Sequence, residues 1–308
     1  MRALAGLIVT GPLQAVLVIA LCTVLSFLAP PLTSILSYAG TAALALYSLH
    51  AGARPGVLVL LGAALVTGLL AGLVLHEGMA VVVTSLLLWL PVWLAAVILR
   101  ASRSLALAML ALTGLAMAGI LVVFALYGDP TPWWEEFLLG MVDSIAKQPE
   151  IQVDVAPLRD FVQQVAPFMT GSLAAGLSFA ALACLMLGRW WQSLLVKPGA
   201  LRTEFYALRL NRALSLLGLA ILVPTMLELG VFSVLARQLG LVVMVLFLFI
   251  GLAVVHATLA NLKAARGWLI AIYVLMSLLP QALVVVVVTG LLDPWLDLRG
   301  KTANAKTD

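Results

Sequence analysis

Apolar runs of about twenty residues follow one another along almost the whole chain, and each is long enough to cross a bilayer as an α-helix. Short breaks rich in proline, glycine or charge separate them. The pattern predicts nine spans, at residues 10–28, 32–50, 56–75, 79–99, 105–127, 168–188, 213–234, 239–261 and 268–290. We therefore expect an all-α fold, a polytopic transmembrane helical bundle that forms a single integral membrane domain over residues 1–308.

The composition excludes a soluble domain. The chain is 64% hydrophobic and only 10% charged, with a mean hydropathy of +1.18. A soluble globular chain is nearer half apolar and a quarter charged. This chain has too little polar surface to cover a core in water, so its solvent is expected to be lipid.

The distribution of charge predicts an orientation. Most of the 17 basic residues fall in alternate loops, where Glu204 is the single acid, and the acids collect in the remaining loops. Because basic loops stay in the cytoplasm, the N-terminus is expected to be cytoplasmic and the C-terminal tail external, in a bacterial inner (cytoplasmic) membrane. The tail carries balanced charges, so it would lie inside if the last span did not cross. The net charge of +4 comes with no nucleic-acid-binding signature, and no nucleic acid partner is expected.

Two connections are longer than the others. Residues 128–167 are acidic and predict two external amphipathic helices, one beginning at Thr131-Pro132 and one near Asp154 or Pro157. They are expected to lie on the outer leaflet or, alternatively, to form a lid over an outward-facing cavity. Residues 189–212 form a basic cytoplasmic loop that contacts anionic lipid or docks a membrane or cytoplasmic protein partner. The bases that would make this contact are Arg189, Lys197, Arg202, Arg209 and Arg212.

The sequence offers little material for catalysis. It has three histidines, few acids inside the spans and none of the common hydrolase, metalloprotease or phosphate-loop motifs. The chain is therefore expected not to be an enzyme and to use no metal and no cofactor.

Binding within the membrane has better candidates, because three spans contain a proline that breaks the helical hydrogen bonding. Pro91 lies between two tryptophans, Pro224 lies one turn before a glutamate, and Pro280 precedes a glutamine. Polar groups in a span usually have a partner or a function. The candidates for ligand binding are Trp89, Trp93, Glu228, His256 and Gln281, and they are expected to face the bundle interior. Packing around the kinks, pairing of Glu228 with Arg237, and a helix–helix hydrogen bond from His256 are the alternatives.

The last third of the chain carries a more specific pattern. A span ends in glycine and is followed by Asp293, Trp295, Asp297 and Arg299, after an earlier Gly251 to His256 segment and Tyr273. This pattern resembles the YybS-like family of predicted bacterial integral membrane proteins, which is distantly similar to the substrate-capture subunits of energy-coupling-factor transporters. The resemblance implies a protein that binds a small molecule within the membrane and docks on a partner, although nine spans exceed the usual six.

The sequence therefore favours a transporter-type small-molecule binding subunit. Its rival is a membrane scaffold or regulatory protein that recruits a partner through the cytoplasmic basic loop. A pocket that runs from the outer face to Trp89 and Gln281 would favour the first, and a filled bundle interior would favour the second.

Overall fold

The computed structural model describes residues 1–28, 33–147, 155–227 and 230–304, which are almost entirely helical and contain no strand. In chain order the helices are α1 (Arg2–Val9), α2 (Pro12–Leu28), α3 (Ile35–Ala51), α4 (Ala53–Leu75), α5 (Gly78–Ser102), α6 (Leu105–Tyr127), α7 (Thr131–Ala146), α8 (Ala156–Val165), α9 (Met169–Val196), α10 (Ala200–Tyr206), α11 (Arg212–Leu222), α12 (Val231–Asn261), α13 (Arg266–Leu278), α14 (Pro280–Leu296) and α15 (Leu298–Asn304). Short 3₁₀ turns at Ala166–Phe168 and Val223–Met226 connect α8 to α9 and follow α11.

Within these residues, five helices are long and apolar enough to cross a membrane, and six if the bent pair α13 and α14 counts as one span. The five are α4, α5, α6, the continuous Ala156–Val196 segment that ends in α9, and α12. The apolar helix Pro12–Leu28 has 17 residues, close to the lower limit for a bilayer of about 30 Å. The all-α membrane class is confirmed, and the prediction of nine spans is not.

The expected seventh span, at residues 213–234, does not form as one helix. The helix α11 ends at Leu222 and continues only as a 3₁₀ turn around Pro224, whose ring nitrogen cannot donate the helical hydrogen bond. The segment from Val231 onward belongs to α12, a helix of 31 residues.

The expected ninth span, at residues 268–290, is broken in the middle. Leu279 is extended, as residues before proline tend to be, and Pro280 begins the new helix α14. The axes of α13 and α14 are bent by 119°. Pro280 therefore does not kink a continuous span but follows a break at which the chain turns by more than a right angle.

The exterior of the helices is apolar, as lipid contact requires. Helix α4 buries small residues such as Ala63 and Ala71 and exposes a stripe of leucines. The stripe consists of Leu58, Leu61, Leu65, Leu69 and Leu73, each at least 58% exposed. Large leucines on the outside and small residues inside characterise helices packed within a bilayer, where close backbone approach drives association. The chain is a membrane-embedded protein.

Two glycines allow α12 and α14 to cross in backbone contact. A Cβ on Gly251 would meet the carbonyl of Val286, and one on Gly290 would meet the carbonyl of Phe247, each closer than real Cβ atoms approach. Both glycines are buried. This crossing fixes α14 along α12 and so determines where the C-terminal tail lies.

Replacement of Gly290 by alanine is expected to force α14 away from α12 and to cost about 1–3 kcal/mol, as overpacking usually does. The measurement is thermal unfolding of the purified protein in detergent. Gly114→Ala is the matched control, because Gly114 is helical and a Cβ there meets nothing within 4 Å. Equal melting temperatures for the two variants would show that the crossing is not tight.

Candidate functional site

A cavity of about 390 Å³ lies between α2, α3, α5 and α9, and we call it the hydroxyl cavity. The residues that line it and bear hydroxyls are Thr23, Ser37, Tyr38, Thr41, Thr84, Ser85 and Ser172. Buried Trp89, at 1% exposure, lines the same cavity. None of the described residues that line it is charged. Its volume is in the range of small-molecule sites.

Four of the hydroxyls are oriented by the backbone about one turn earlier, and the first is Ser37, whose Oγ donates to the carbonyl of Ser34 at 2.8 Å. Thr23 Oγ1 donates to the carbonyl of Ile19 at 2.8 Å, and Thr41 Oγ1 donates to that of Ser37 at 2.8 Å. Ser85 Oγ donates in the same way, at 2.7 Å. A hydroxyl has one proton and two lone pairs, so a donor used within the helix leaves the oxygen as an acceptor. The cavity thus offers hydrogen-bond acceptors on an otherwise apolar and aromatic wall, which suits a neutral ligand with donor groups.

Trp93 does not share this cavity with Trp89. Its indole Nε1 donates to the carbonyl of Ala53 at 3.3 Å, next to Gly56 at the start of α4. Helix α5 continues through Pro91. The predicted aromatic wall made by both tryptophans is therefore wrong, because Trp93 is used to hold the α3–α4 turn.

Neither His256 nor Gln281 lines the hydroxyl cavity. Gln281 lies in the first turn of α14 and is exposed, so the expectation that it faces the interior is wrong. The break at Leu279 explains this, because it turns α14 onto a new axis. Glu228 lies outside the described residues. The predicted pocket that joins Trp89 to Gln281 is not formed.

His256 lies in the last third of α12, among aromatic rings from two other helices. Its Nε2 is 2.9 Å from the hydroxyl of Tyr273 in α13. The rings of Phe205 and Tyr206, in α10, lie 5.7 and 6.4 Å from the imidazole. The expected helix–helix hydrogen bond of His256 is present, and the residue belongs to a site distinct from the hydroxyl cavity.

Phe205 and Tyr206 belong to the basic loop of residues 189–212, which we call the basic segment. Most of the cations of this segment have partners within the chain. Arg189 forms a bidentate pair with Glu204. Arg209 pairs with Asp297 at 2.7 Å, and both side chains are about half exposed. Arg212 Nε donates to the carbonyl of Pro294 at 3.2 Å. The guanidinium of Arg202 stacks on the ring of Tyr206, 5.1 Å from its centroid. Lys197, at the end of α9, is exposed.

The C-terminal tail motif, residues 293–299, contains a buried ion pair that also contacts the basic segment. Arg299 Nη2 lies 2.5 Å from Asp293 Oδ2, with side-chain exposures of only 4% and 3%. Nη1 of Arg299 donates to the carbonyl of Tyr206 at 2.8 Å. Asn261, at the end of α12, donates to the carbonyl of Arg299 at 3.1 Å.

The tail is helical through most of its length. Asp293 does not begin a new turn, because α14 continues through Pro294 to Leu296 and Asp297 ends it in the left-handed conformation. Trp295 is 39% exposed. The partner of Asp297 is Arg209 and not the neighbouring Arg299.

These contacts contradict one part of the predicted topology. The tail pairs directly with the basic segment, so the two lie at the same end of the molecule. A cytoplasmic basic loop and an external C-terminus cannot both hold. The physical reason is the reversal at Leu279, which returns α14 to the end from which α13 started.

The acidic connection contains the two expected helices, α7 and α8, on either side of residues outside the described ranges. Asp143 pairs with Arg159 at 2.9 Å and joins them. Trp134 Nε1 donates to Thr170 Oγ1 at 2.8 Å, which ties α7 to the start of α9. The helices follow the far end of α6, so they lie opposite the basic segment.

Sequence reasoning missed the hydroxyl groups of the cavity. Single serines and threonines are common in membrane helices, where they bond their own backbone, so each alone carries no signal. The only available signal was a shared depth, since residues 23, 37 and 85 lie in the outer halves of their predicted spans and residue 41 lies at the centre of its span. Among the described residues, no group of three or more His, Cys, Asp or Glu could hold a metal ion.

Comparison with known proteins identifies no relative: no family model, no curated protein and no solved structure matches the chain.

Replacement of Arg299 by methionine is expected to lower the free energy of unfolding by about 3–5 kcal/mol, because it leaves Asp293 buried and unpaired. Thermal unfolding in detergent measures the loss. The second change Asp293→Leu should restore part of it, since the unpaired charge is then removed.

Asp297→Asn is the control for this prediction, because it breaks only the exposed pair with Arg209 and should cost no more than about 1 kcal/mol. If Arg299→Met is no more harmful than Asp297→Asn, the buried pair does not hold the tail.

Proposed function

We propose that the protein is a transporter-type small-molecule binding subunit of a bacterial inner membrane and that it holds its ligand in the hydroxyl cavity. One observation carries the proposal, the uncharged cavity lined by hydroxyl oxygens and by Trp89 within the membrane-embedded helices. The ligand is a neutral molecule that presents hydrogen-bond donors to the wall and an apolar face to the indole. A charged ligand would lose its hydration there with no counter-ion in return.

The position of the cavity supports capture from one face. It is lined by the C-terminal third of α2, the N-terminal half of α3 and the N-terminal half of α9, which all lie toward the end that carries the acidic helices α7 and α8. Since the opposite end carries the basic segment, the positive-inside rule makes the cavity end external. A ligand would enter from outside, at the end where α7 is bonded to the start of α9 through Trp134 and Thr170.

The rival proposal, a scaffold that recruits a partner through the basic loop, has less support. Arg189, Arg209 and Arg212 are engaged by the protein's own carboxylates and carbonyls. A loop that docks a partner by charge would keep these cations free. The expectation of a non-enzymatic protein that uses no cofactor remains part of the proposal.

The orientation can be tested by labelling single cysteines with a membrane-impermeant maleimide, after replacement of Cys22 and Cys184 by alanine. Cysteines at Lys197 and Lys301 should both be protected in intact cells and both react in inverted vesicles. A cysteine at Lys147 should show the opposite pattern. Reaction of position 301 but not 197 in intact cells would contradict the shared end, and reaction of both would invert the proposed orientation.

The ligand site can be tested by filling the cavity. Gly176 lines it, and a Cβ there meets nothing within 4 Å, so Gly176→Leu should fold normally and occupy the space. Native mass spectrometry of the gently extracted protein should detect a bound small molecule that the variant has lost. Gly114→Leu is the control, because Gly114 is equally open but lies away from the cavity. Identical small-molecule content in all three proteins would refute the site.

A further inference from the structure

A second cavity, of about 620 Å³, lies where α12 turns into α13, and we call it the elbow cavity. Its polar lining consists of Arg202, Tyr206, His256, Lys263, Arg266 and Tyr273. It lies at the basic end of the molecule, so it is separate from the hydroxyl cavity proposed above as the capture site.

The elbow cavity concentrates positive charge without compensation. Arg202 comes from α10, Lys263 from the turn after α12, and Arg266 from the first residue of α13. No acid lines the cavity, and no acid in the described parts of the chain pairs with any of the three. This separates them from Arg189, Arg209 and Arg299, which all have carboxylate partners. The N-terminus of α13 adds its own positive dipole end.

Two of the groups at the cavity are held in place by the aromatic cluster. Arg202 stacks on the ring of Tyr206, and its Nε donates to the Tyr206 hydroxyl at 3.1 Å, which leaves the terminal nitrogens free to donate elsewhere. Tyr273 is held by its hydrogen bond with His256. A guanidinium fixed in this way suits a tetrahedral anion such as a phosphate group.

An apolar stripe continues directly from the cavity. Ile270 lines the cavity, and one and two turns further along the same face of α13 lie Val274 and Leu278. Their exposures are 65%, 49% and 71%, so no other part of the described chain covers them. A ligand that matches both features has an anionic head and a hydrocarbon chain.

We propose that the elbow cavity is a specific binding site for an anionic phospholipid of the leaflet at the basic end. The phosphate lies among Arg202, Lys263 and Arg266, and an acyl chain lies along Ile270, Val274 and Leu278. We propose a lipid and not a free phosphate compound because the apolar stripe of α13 would make no contact with a soluble anion.

The backbone at Lys263 supports a role for its charge. The amide of Ala264 donates to the carbonyl of Leu259, and Lys263 itself has a φ of 52°, so this residue occupies the left-handed position that ends α12. Glycine is the residue that takes this position without strain. A lysine at this position places a cation at the cavity, although its backbone conformation is strained.

This conformation provides a variant that separates binding from folding. Lys263→Gly removes the cation and relaxes the backbone, so the variant should be at least as stable as the native protein. Arg103→Gly is the matched control, because Arg103 is also basic, exposed and left-handed, with a φ of 56°, but lies outside the elbow cavity.

The experiment is native mass spectrometry of the full-length protein in a neutral detergent, titrated with phosphatidylglycerol and, separately, with phosphatidylcholine. The native protein should retain phosphatidylglycerol selectively. Lys263→Gly and Arg266→Gln should each weaken that retention by about fivefold, the effect of one interfacial cation, and Arg103→Gly should leave it unchanged.

Three outcomes would overturn the proposal. Equal retention of the two lipids would show that the site does not select an anion. An equal loss in Arg103→Gly would show that the attraction comes from the whole basic end and not from the cavity. Protection of the protein against thermal unfolding by inorganic phosphate alone, as strong as that by phosphatidylglycerol, would show a phosphate site that does not use the apolar stripe.

Discussion

The buried pair of Asp293 and Arg299 is the contact on which the basic end of the molecule depends. Two charges removed from water need to be paired and hydrogen bonded, and the guanidinium bonds both Asp293 and the carbonyl of Tyr206. Arg299 Nε and Asp293 Oδ1 are buried without a partner among the described residues. The pair therefore joins the end of α14 to the end of α10. Asn261 adds the end of α12 to the same cluster through the carbonyl of Arg299. Three elements distant in sequence are held at one place by a single motif.

The hairpin of α13 and α14 brings this motif into position. The reversal before Pro280 returns the chain to the basic end, and the contact of Gly251 and Gly290 with opposing backbone carbonyls holds α14 against α12. The hairpin also leaves α13 with an outer face that nothing in the described chain covers. The elbow cavity, with its unpaired cations, and the apolar stripe beside it are both consequences of a span that breaks instead of crossing.

Run length and composition were sufficient to predict the class of the fold, because an apolar run of about twenty residues has few alternatives to a membrane helix. Run length and composition did not predict whether a proline kinks a helix or interrupts it. Pro91 remains inside a continuous α5, whereas α11 and α13 each end shortly before a proline, Pro224 and Pro280, and hydropathy alone does not distinguish these cases. Trp89 was correctly assigned to a buried position, but Trp93 on the same helix face bonds a different part of the protein. The choice between them depends on which helices pack there, which one sequence does not contain.

The cavities at the two ends of the protein differ in charge, so they suit different kinds of ligand. The hydroxyl cavity presents oriented acceptors and an indole but no charge, so its selectivity depends on shape and on donors in the ligand, and salt has little effect on such contacts. The elbow cavity presents cations at a membrane surface, so its interactions are electrostatic and respond to the composition of the leaflet. A ligand suited to one environment is poorly suited to the other, because a phosphate group would be uncompensated among the hydroxyls and a neutral molecule would gain nothing from the three cations. The difference between the two cavities therefore follows from the segregation of charge along the bundle.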